Sequence, residues 1–468
     1  MVLNFFCIIF KLGVWFVLLI DLKINGAPIE AEVKQFPGFQ GDLLSKHYAG
    51  YITVGAESHK RHMHYHFITS ERNPTRDPLT YYVNGGPGCS AYSAIVHLIG
   101  PFKIEDTVHR VKDPIRLRRN PYTWTKVSNV LFVDSPVGAG YSYADNEEDY
   151  VLNDSATIAD LYDVLMKWFE EYPEFISNPF YIAGSSYSGM YVPVLAQQIV
   201  NGNEGNHGIY INFKGYSLAN AAVDIYYDNN YVVPFAYKMG FISDEQYNDL
   251  AKSCGGVYWN NEDPDCIKNL DVFKGFIKGI YAYHVLFLPC HLNIGLTMED
   301  AEYESAEIFQ SLYGGLEFDV YCHDYEVTPR RLFDTKIARE LLHAKPVEIA
   351  GTFERCSKRI KYTRDIFTLT PYHLNLTSKG YRTFFYSGDH DMKIPYISTL
   401  DWIKTLNYTE IEKWHPWFVG DQIAGYAVRY TNNLLFATLR GGGHTPFENM
   451  PRETLEAYQR WIDGADSL

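Results

Sequence analysis

The chain runs to 468 residues, 46% hydrophobic and 21% charged, the balance of a globular protein long enough for one α/β core with a large insertion. Its 41 Lys and Arg stand against 56 Asp and Glu, a formal net charge of −15. That balance lacks the basic footprint a nucleic-acid partner requires, and the scattered acids fit a solvated surface.

Residues 5–20 (FFCIIFKLGVWFVLLI) are apolar except for Lys11. The run is short for a membrane span and reads as a signal-peptide core, cleaved near Gly26 or Ala27, with an uncleaved anchor as the alternative. Residues 1–27 are therefore assigned to the signal, and no later segment approaches a span. Cys7 leaves with it. Six cysteines remain: Cys89, Cys254, Cys266, Cys290, Cys322 and Cys356. An even count behind an export signal predicts three disulfides in an oxidising compartment and leaves their connectivity open. No CxxC and no His/Cys spacing indicates a metal. Sequons at Asn153, Asn375 and Asn407 agree with export, to a vacuolar or extracellular destination.

Residues 47–54 and 63–69 read as early strands. A short strand at 80–83 runs into Asn84-Gly85-Gly86-Pro87-Gly88, and another at 129–134 ends in Ser135-Pro136-Val137-Gly138. Helical periodicity covers 155–171. A strand at 180–183 stops at Gly184, a helix follows from about Ser188, and 213–219 is again a strand. Between about 224 and 350 the strand signal fades in a stretch holding Cys254, Cys266, Cys290 and Cys322. It reads as a helical, disulfide-stapled insertion, a lid. Strands return at 382–387 and 434–439, each ending in a Gly-bearing loop. Short apolar runs alternating with helices predict an α/β fold with a mostly parallel sheet covered on both faces. Its core is in two parts, 28–223 and 351–468, around the insertion 224–350.

The strongest motif is Gly184-Ser185-Ser186-Tyr187-Ser188-Gly189. A buried strand precedes it and a helix follows, the setting in which a sharp turn exposes the Ser186 hydroxyl as a nucleophile, although Ser188 fills the place of the last Gly in G-x-S-x-G. A serine nucleophile needs a base, and the base an orienting acid. The chain order Ser, Asp, His selects Asp391, after the strand 382–387, and His444, after the strand 434–439. Asp389 is the competing acid. Asp391 is preferred because the turn after Gly388 needs room to swing a carboxylate back to the imidazole. Two backbone N–H groups are expected to hold the oxyanion, those of Tyr187 and Gly86. The Gly-rich loop lets the backbone approach the substrate closely, with Asn84, Gly85 and Ser185 as neighbouring substrate-binding residues.

At these residues the chain resembles the serine carboxypeptidases, an α/β-hydrolase family. The resemblance rests on Asn84-Gly85-Gly86-Pro87-Gly88-Cys89-Ser90, Asp134-Ser135-Pro136-Val137-Gly138-Ala139-Gly140-Tyr141-Ser142, the Ser186 motif and Gly443-His444-Thr445, and it runs from about residue 36 to the C-terminus. Tyr386-Ser387-Gly388-Asp389-His390-Asp391-Met392, Trp414-His415-Pro416-Trp417-Phe418 and Gly425-Tyr426 resemble one branch, the plant serine carboxypeptidase-like acyltransferases. The resemblance implies disulfides Cys89–Cys356, Cys254–Cys266 and Cys290–Cys322.

The peptidases of the family carry a Glu immediately before the nucleophile and a second Glu two residues before the Gly-Pro that closes the first motif. Here these positions are Ser185 and Leu98. Without either acid a free peptide carboxylate would be desolvated with no partner, at a cost of a few kcal/mol. The acyltransferases usually carry Asp before the nucleophile, so Ser185 departs from that branch too, at a position bearing on donor and acceptor recognition. The resemblance implies acyl transfer from a 1-O-acyl-β-glucose to an acceptor hydroxyl, with no cofactor or metal and no partner beyond small-molecule donor and acceptor. The alternatives are a serine carboxypeptidase or esterase and, with a damaged triad as its expected mark, a non-catalytic partner of an active paralogue.

Overall fold

The computed structural model describes residues 26–105, 114–206, 208–287, 327–465 and 467–468. The apolar run at 5–20 and both Cys290 and Cys322 lie outside the described residues. The strands, in chain order, are β1 (Glu32–Val33), β2 (His47–Val54), β3 (Arg61–Ile68), β4 (Leu79–Val83), β5 (Phe102–Ile104), β6 (Leu117–Arg119), β7 (Asn129–Val133), β8 (Tyr143–Ala144), β9 (Val151–Asn153), β10 (Phe180–Ser185), β11 (Phe213–Ala219), β12 (Lys361–Thr363), β13 (Arg382–Gly388), β14 (Glu410–Val419), β15 (Gln422–Tyr430) and β16 (Leu434–Leu439).

One 12-stranded sheet runs in the order β1-β2-β3-β7-β4-β10-β11-β13-β16-β15-β14, with β8 paired to β3. Its central block, β7-β4-β10-β11-β13-β16, is parallel throughout. The strands outside that block pair antiparallel with their neighbours. The expected α/β architecture is therefore present. All residues of β4, β7, β10 and β16 are buried, as befits parallel strands covered on both faces.

Successive residues of one strand enter different cores. Tyr81, Leu131 and Ile182 join a cluster with Leu161, Val164 and Trp168 of helix α1 (Asp154–Glu171) and Leu195 and Ile199 of helix α2 (Val192–Glu204). Helices α3 (Thr370–Ser378) and α4 (Tyr396–Thr405) add Leu376 and Trp402 to the same face. Tyr82, Phe132 and Tyr181 point the other way, to Tyr458 and Trp461 of helix α5 (Pro451–Ile462), where Trp124 stacks on Tyr458 at 3.5 Å. The period-two alternation of Cβ directions sends neighbours to opposite faces.

Within residues 224–350 every described element is helical: Ile225–Asn230, Val232–Lys238, Asp244–Cys254, Pro264–Ile277, Val327–Phe333, Lys336–Leu341 and Val347–Ala350. Cys254 and Cys266 are joined there. Among the described residues no helix is long and apolar enough to cross a membrane.

The β14–β15 hairpin carries the Trp414–Phe418 and Gly425-Tyr426 motifs. Trp414 stacks on Tyr426 at 5.7 Å, and Trp417, opposite Gly425, donates its indole N–H to the Thr438 carbonyl at 3.1 Å. These motifs finish an edge of the sheet. Of the sequons, Asn407 is exposed, while Asn153 caps α1 through the Ala156 N–H and Asn375 donates to Gln197.

His373, on α3, is fully buried with Nδ1 2.6 Å from the Tyr216 hydroxyl. Burial pushes its pKa down from 6.5 to about 3. The unfolded chain therefore binds a proton that the folded chain refuses, so this site's contribution to stability is complete above about pH 6.5 and is lost as pH falls toward 3. His373→Gln, neutral throughout, is expected to shrink the fall in thermal midpoint between pH 7 and pH 4, measured by scanning calorimetry. An unchanged pH slope would contradict this.

Candidate active site

Four parallel strands deliver the predicted site residues from their C-terminal ends. Gly85 and Gly86 follow β4, Ser186 follows β10, Asp391 follows β13 and His444 follows β16, all on one edge of the sheet. This is the edge where open α/β sheets place ligands.

Ser186 sits at φ +58°, the left-handed region that a residue with a side chain rarely enters, at a cost of about 1–2 kcal/mol. Its neighbours hold the turn. The Ala222 N–H donates to the Ser186 carbonyl at 3.0 Å. Ser188, buried, donates its hydroxyl to the Ser185 carbonyl at 2.8 Å. A Cβ on Gly184 would stand 2.3 Å from that hydroxyl, so the missing side chain of Gly184 is what makes room for Ser188.

His444 Nε2 is 2.9 Å from Ser186 Oγ, and His444 Nδ1 is 2.8 Å from Asp391 Oδ2. Both His444 and Asp391 are buried. Asp391 Oδ2 also accepts from the Asn220 amide at 2.7 Å, and Oδ1 accepts the backbone N–H of Lys393 at 2.7 Å and of Ile394 at 3.2 Å. Asp389 faces elsewhere: its Oδ1 pairs with His390 Nδ1 at 2.6 Å and accepts the Gly441 N–H at 2.8 Å. Of the two acids, Asp391 is the one on the imidazole.

Asn220 has no counterpart among the sequence expectations. It follows β11, between the nucleophile and acid strands, at φ +42°. Its side-chain Oδ1 accepts the Gly388 N–H at 3.2 Å while its side-chain NH₂ holds Asp391. A polar residue at the end of a buried strand is the signal that could have found it. Tyr283 is a second addition. Its carbonyl accepts the His444 N–H at 2.6 Å and its ring meets the imidazole edge-on at 5.1 Å. The adjoining Ala282 carbonyl accepts the N–H groups of Met392 and Lys393, so segment 282–283 braces both loops.

The Gly-rich loop lies against the elbow. A Cβ on Gly85 would come within 2.6 Å of the Ser185 carbonyl, 2.9 Å of Ser186 Cβ and 3.1 Å of the Tyr187 nitrogen. Only glycine permits this approach, which brings the loop beside the Tyr187 N–H. The Asn84 amide donates to the carbonyls of Cys89 and Ser90 at 3.3 and 2.9 Å, so it is committed to the loop's own shape. Asp134, buried, gathers the same loop. It accepts from the Ser90 hydroxyl at 2.6 Å, the Ala91 N–H at 2.7 Å and the Tyr141 N–H at 2.8 Å, and burial lifts its pKa to about 6. Ser185 is buried with its hydroxyl 3.0 Å from the Tyr82 hydroxyl.

Cys89 is bonded to Cys356 across 267 residues, flanked by backbone bonds from Ser90 to the Arg355 carbonyl and from Ser357 to the Gly88 carbonyl. Closing so long a loop stabilises by about 5 kcal/mol in the chain-entropy account. Non-reducing peptide mapping is expected to recover this pair, and Cys89→Ser with Cys356→Ser to lower the thermal midpoint sharply. A free Cys89 thiol in active protein would contradict the assignment.

A hydroxyl, an imidazole and a buried carboxylate in line can deprotonate the serine, return the proton to a leaving group and pass through a covalent acyl-enzyme. The comparisons with known proteins agree in kind. The family model described as serine carboxypeptidase matches residues 37–464. "Serine carboxypeptidase 1" of Hordeum vulgare is 38% identical over 473 residues, covering 94% of each chain. "Serine carboxypeptidase-like 20" of Arabidopsis thaliana is 37% identical over 479 residues, covering 96% of each. A prohormone-processing carboxypeptidase from Saccharomyces cerevisiae superposes with a TM-score of 0.70 at 18% identity, over 93% of this chain and 96% of its own, sharing the α/β-hydrolase fold. The chain belongs to the serine carboxypeptidase family.

Proposed function

We propose that this enzyme transfers an acyl group from a 1-O-acyl-β-glucose ester to an acceptor hydroxyl. Ser186 Oγ attacks the ester carbonyl as His444 takes its proton. The Gly86 and Tyr187 N–H groups hold the oxyanion. His444 then protonates the sugar oxygen as the C–O bond breaks, leaving the acyl group on Ser186. An acceptor hydroxyl next gives its proton to His444, attacks the acyl carbonyl and leaves as the new ester, while Ser186 recovers its proton. Asp391, held by Asn220 and two backbone N–H groups, fixes the imidazole so that Nε2 faces Ser186.

The observation that carries the choice of transfer is Ser185. A carboxypeptidase reading needs a carboxyl group here to share a proton with the peptide's C-terminal carboxylate. The buried hydroxyl present instead is engaged by Tyr82, whose phenol burial pushes well above its ordinary range, and Leu98 stands at the second acid's position. The second reading, carboxypeptidase or esterase, is supported by the name of the barley relative. A non-catalytic role would call for a damaged triad, and the Ser186–His444–Asp391 line is unbroken. Residues 224–350 act as a lid, the chain enters the secretory pathway for a vacuole or the exterior, and Asn407, the exposed sequon, is the foremost glycosylation site. The test is the ratio of acylated alcohol to free acid formed from acyl-glucoses offered with a panel of acceptor alcohols.

A further inference from the structure

We propose that Asp154 is a positioning residue for acyl transfer: by holding the Tyr187 hydroxyl it fixes the residue whose backbone N–H receives the oxyanion. The proposal rests on the reading of Tyr187 as an oxyanion donor.

Asp154 is the first residue of α1 and is fully buried. Its Oδ1 accepts from the hydroxyls of Tyr187 and Tyr362, each at 2.9 Å. Its Oδ2 accepts the backbone N–H groups of Asp365 at 2.9 Å and Ile366 at 3.1 Å. Four donors and the positive end of an 18-residue helix are what a buried carboxylate needs. Two of the four come from Asp365 and Ile366, so the carboxylate is tied to a segment 211 and 212 residues away in sequence. The other bond that matters reaches back to the elbow.

Tyr187 is restrained by three further side chains. The Arg364 guanidinium lies 5.1 Å above its ring and donates Nε–H to its hydroxyl at 3.3 Å. Tyr191 and Tyr362 meet the ring edge-on at 5.4 and 5.9 Å. Burial lifts the phenol to about 12, so it is a donor at working pH. This anchoring follows directly on Ser186, the one residue of the elbow held at φ +58°. A strained backbone persists only where its surroundings over-determine it. The Tyr187 side chain pins the outgoing side of the turn, and Asp154 pins Tyr187. Release of that hydroxyl lets the turn relax and the Tyr187 N–H swing off the oxyanion position. An oxyanion forms only as the reaction proceeds, so the loss falls on kcat and spares substrate binding.

Two phenylalanine variants separate positioning from support, because Tyr187 and Tyr362 bond the same carboxylate oxygen and only one carries the proposed N–H. The readouts are kcat and KM on an acyl-glucose and the rate at which a fluorophosphonate probe labels Ser186, where Oγ attacks phosphorus and fluoride leaves. Tyr187→Phe is expected to lower kcat and labelling by about tenfold with KM within about twofold, and Tyr362→Phe to leave all three within about twofold of wild type. Wild-type rates for Tyr187→Phe would overturn the proposal, as would an equal loss in Tyr362→Phe. Asp154→Asn is expected to match Tyr187→Phe, and if it fails to fold the phenylalanine pair still decides. Labelling without turnover of any acyl-glucose would refute the donor and leave the clamp to be judged on labelling.

Discussion

Ser186→Ala is expected to lower turnover of an activated ester by about 10⁵-fold or more while leaving the thermal midpoint unchanged. The hydroxyl's hydrogen bond is to His444 Nε2, and the turn around it is built by the Ala222 N–H, the Ser188 hydroxyl and the glycines on either side. Removing one half-buried oxygen therefore takes away chemistry and leaves packing alone. Triad members act as a unit, so adding His444→Ala to Ser186→Ala should cost little more. Asp391→Asn should cost about 10⁴-fold for a related reason. Both of its carboxylate oxygens accept hydrogen bonds, one from His444 and Asn220 and the other from two backbone N–H groups. An amide must turn its NH₂ toward one of these pairs, which unseats the imidazole tautomer or the loop. Asp389→Asn, on His390 and Gly441 instead, should cost far less. Steady-state kinetics on one ester with calorimetry of each variant checks the set, and a wild-type rate in Ser186→Ala would refute the assignment.

Much of this site was legible because the fold writes it as loops after buried strands. β2, β11 and β16 fall on the residues expected from their apolar runs, and β4, β7, β10 and β13 differ by one or two. The strand-to-loop transitions after β10, β13 and β16 locate Ser186, Asp391 and His444 without any knowledge of the three-dimensional contacts. Room for the turn after Gly388 favours Asp391 over Asp389, and the hydrogen bonds run that way. What stayed hidden was of two kinds. The β14–β15 hairpin escaped because Glu410–Val419 carries charges and Pro416 on an exposed edge, with register shifts along it, so neither period-two alternation nor an apolar run marks it. Asn220, Tyr283 and Asp154 escaped because their meaning is a partner far along the chain: Asp391 for the first, His444 for the second and Tyr187 for the third. Local pattern carries no information on pairings of that kind. Periodicity marks helix α1, yet its opening Asp reads from sequence as an ordinary first-turn acid.

The acyl-enzyme's fate decides between transfer and hydrolysis. Water stands at about 55 M, and a bound, oriented acceptor reaches an effective concentration of roughly 10⁵ M or above. With its own acceptor present the enzyme is therefore expected to give more acylated alcohol than free acid. Peptides should be poor substrates, because their C-terminal carboxylate would meet the Ser185–Tyr82 hydroxyl pair and an aliphatic Leu98 in place of two carboxyl groups. Ser185→Glu with Leu98→Glu should restore some peptidase activity at acidic pH, where one of two neighbouring acids keeps a proton. The most direct measurement assays the wild-type enzyme, at one concentration, on acyl-glucoses with acceptor alcohols and on blocked dipeptides. Faster consumption of acyl-glucose, with the acyl group recovered on the alcohol, is the result expected. Faster cleavage of the dipeptides would contradict acyl transfer and make the chain a carboxypeptidase.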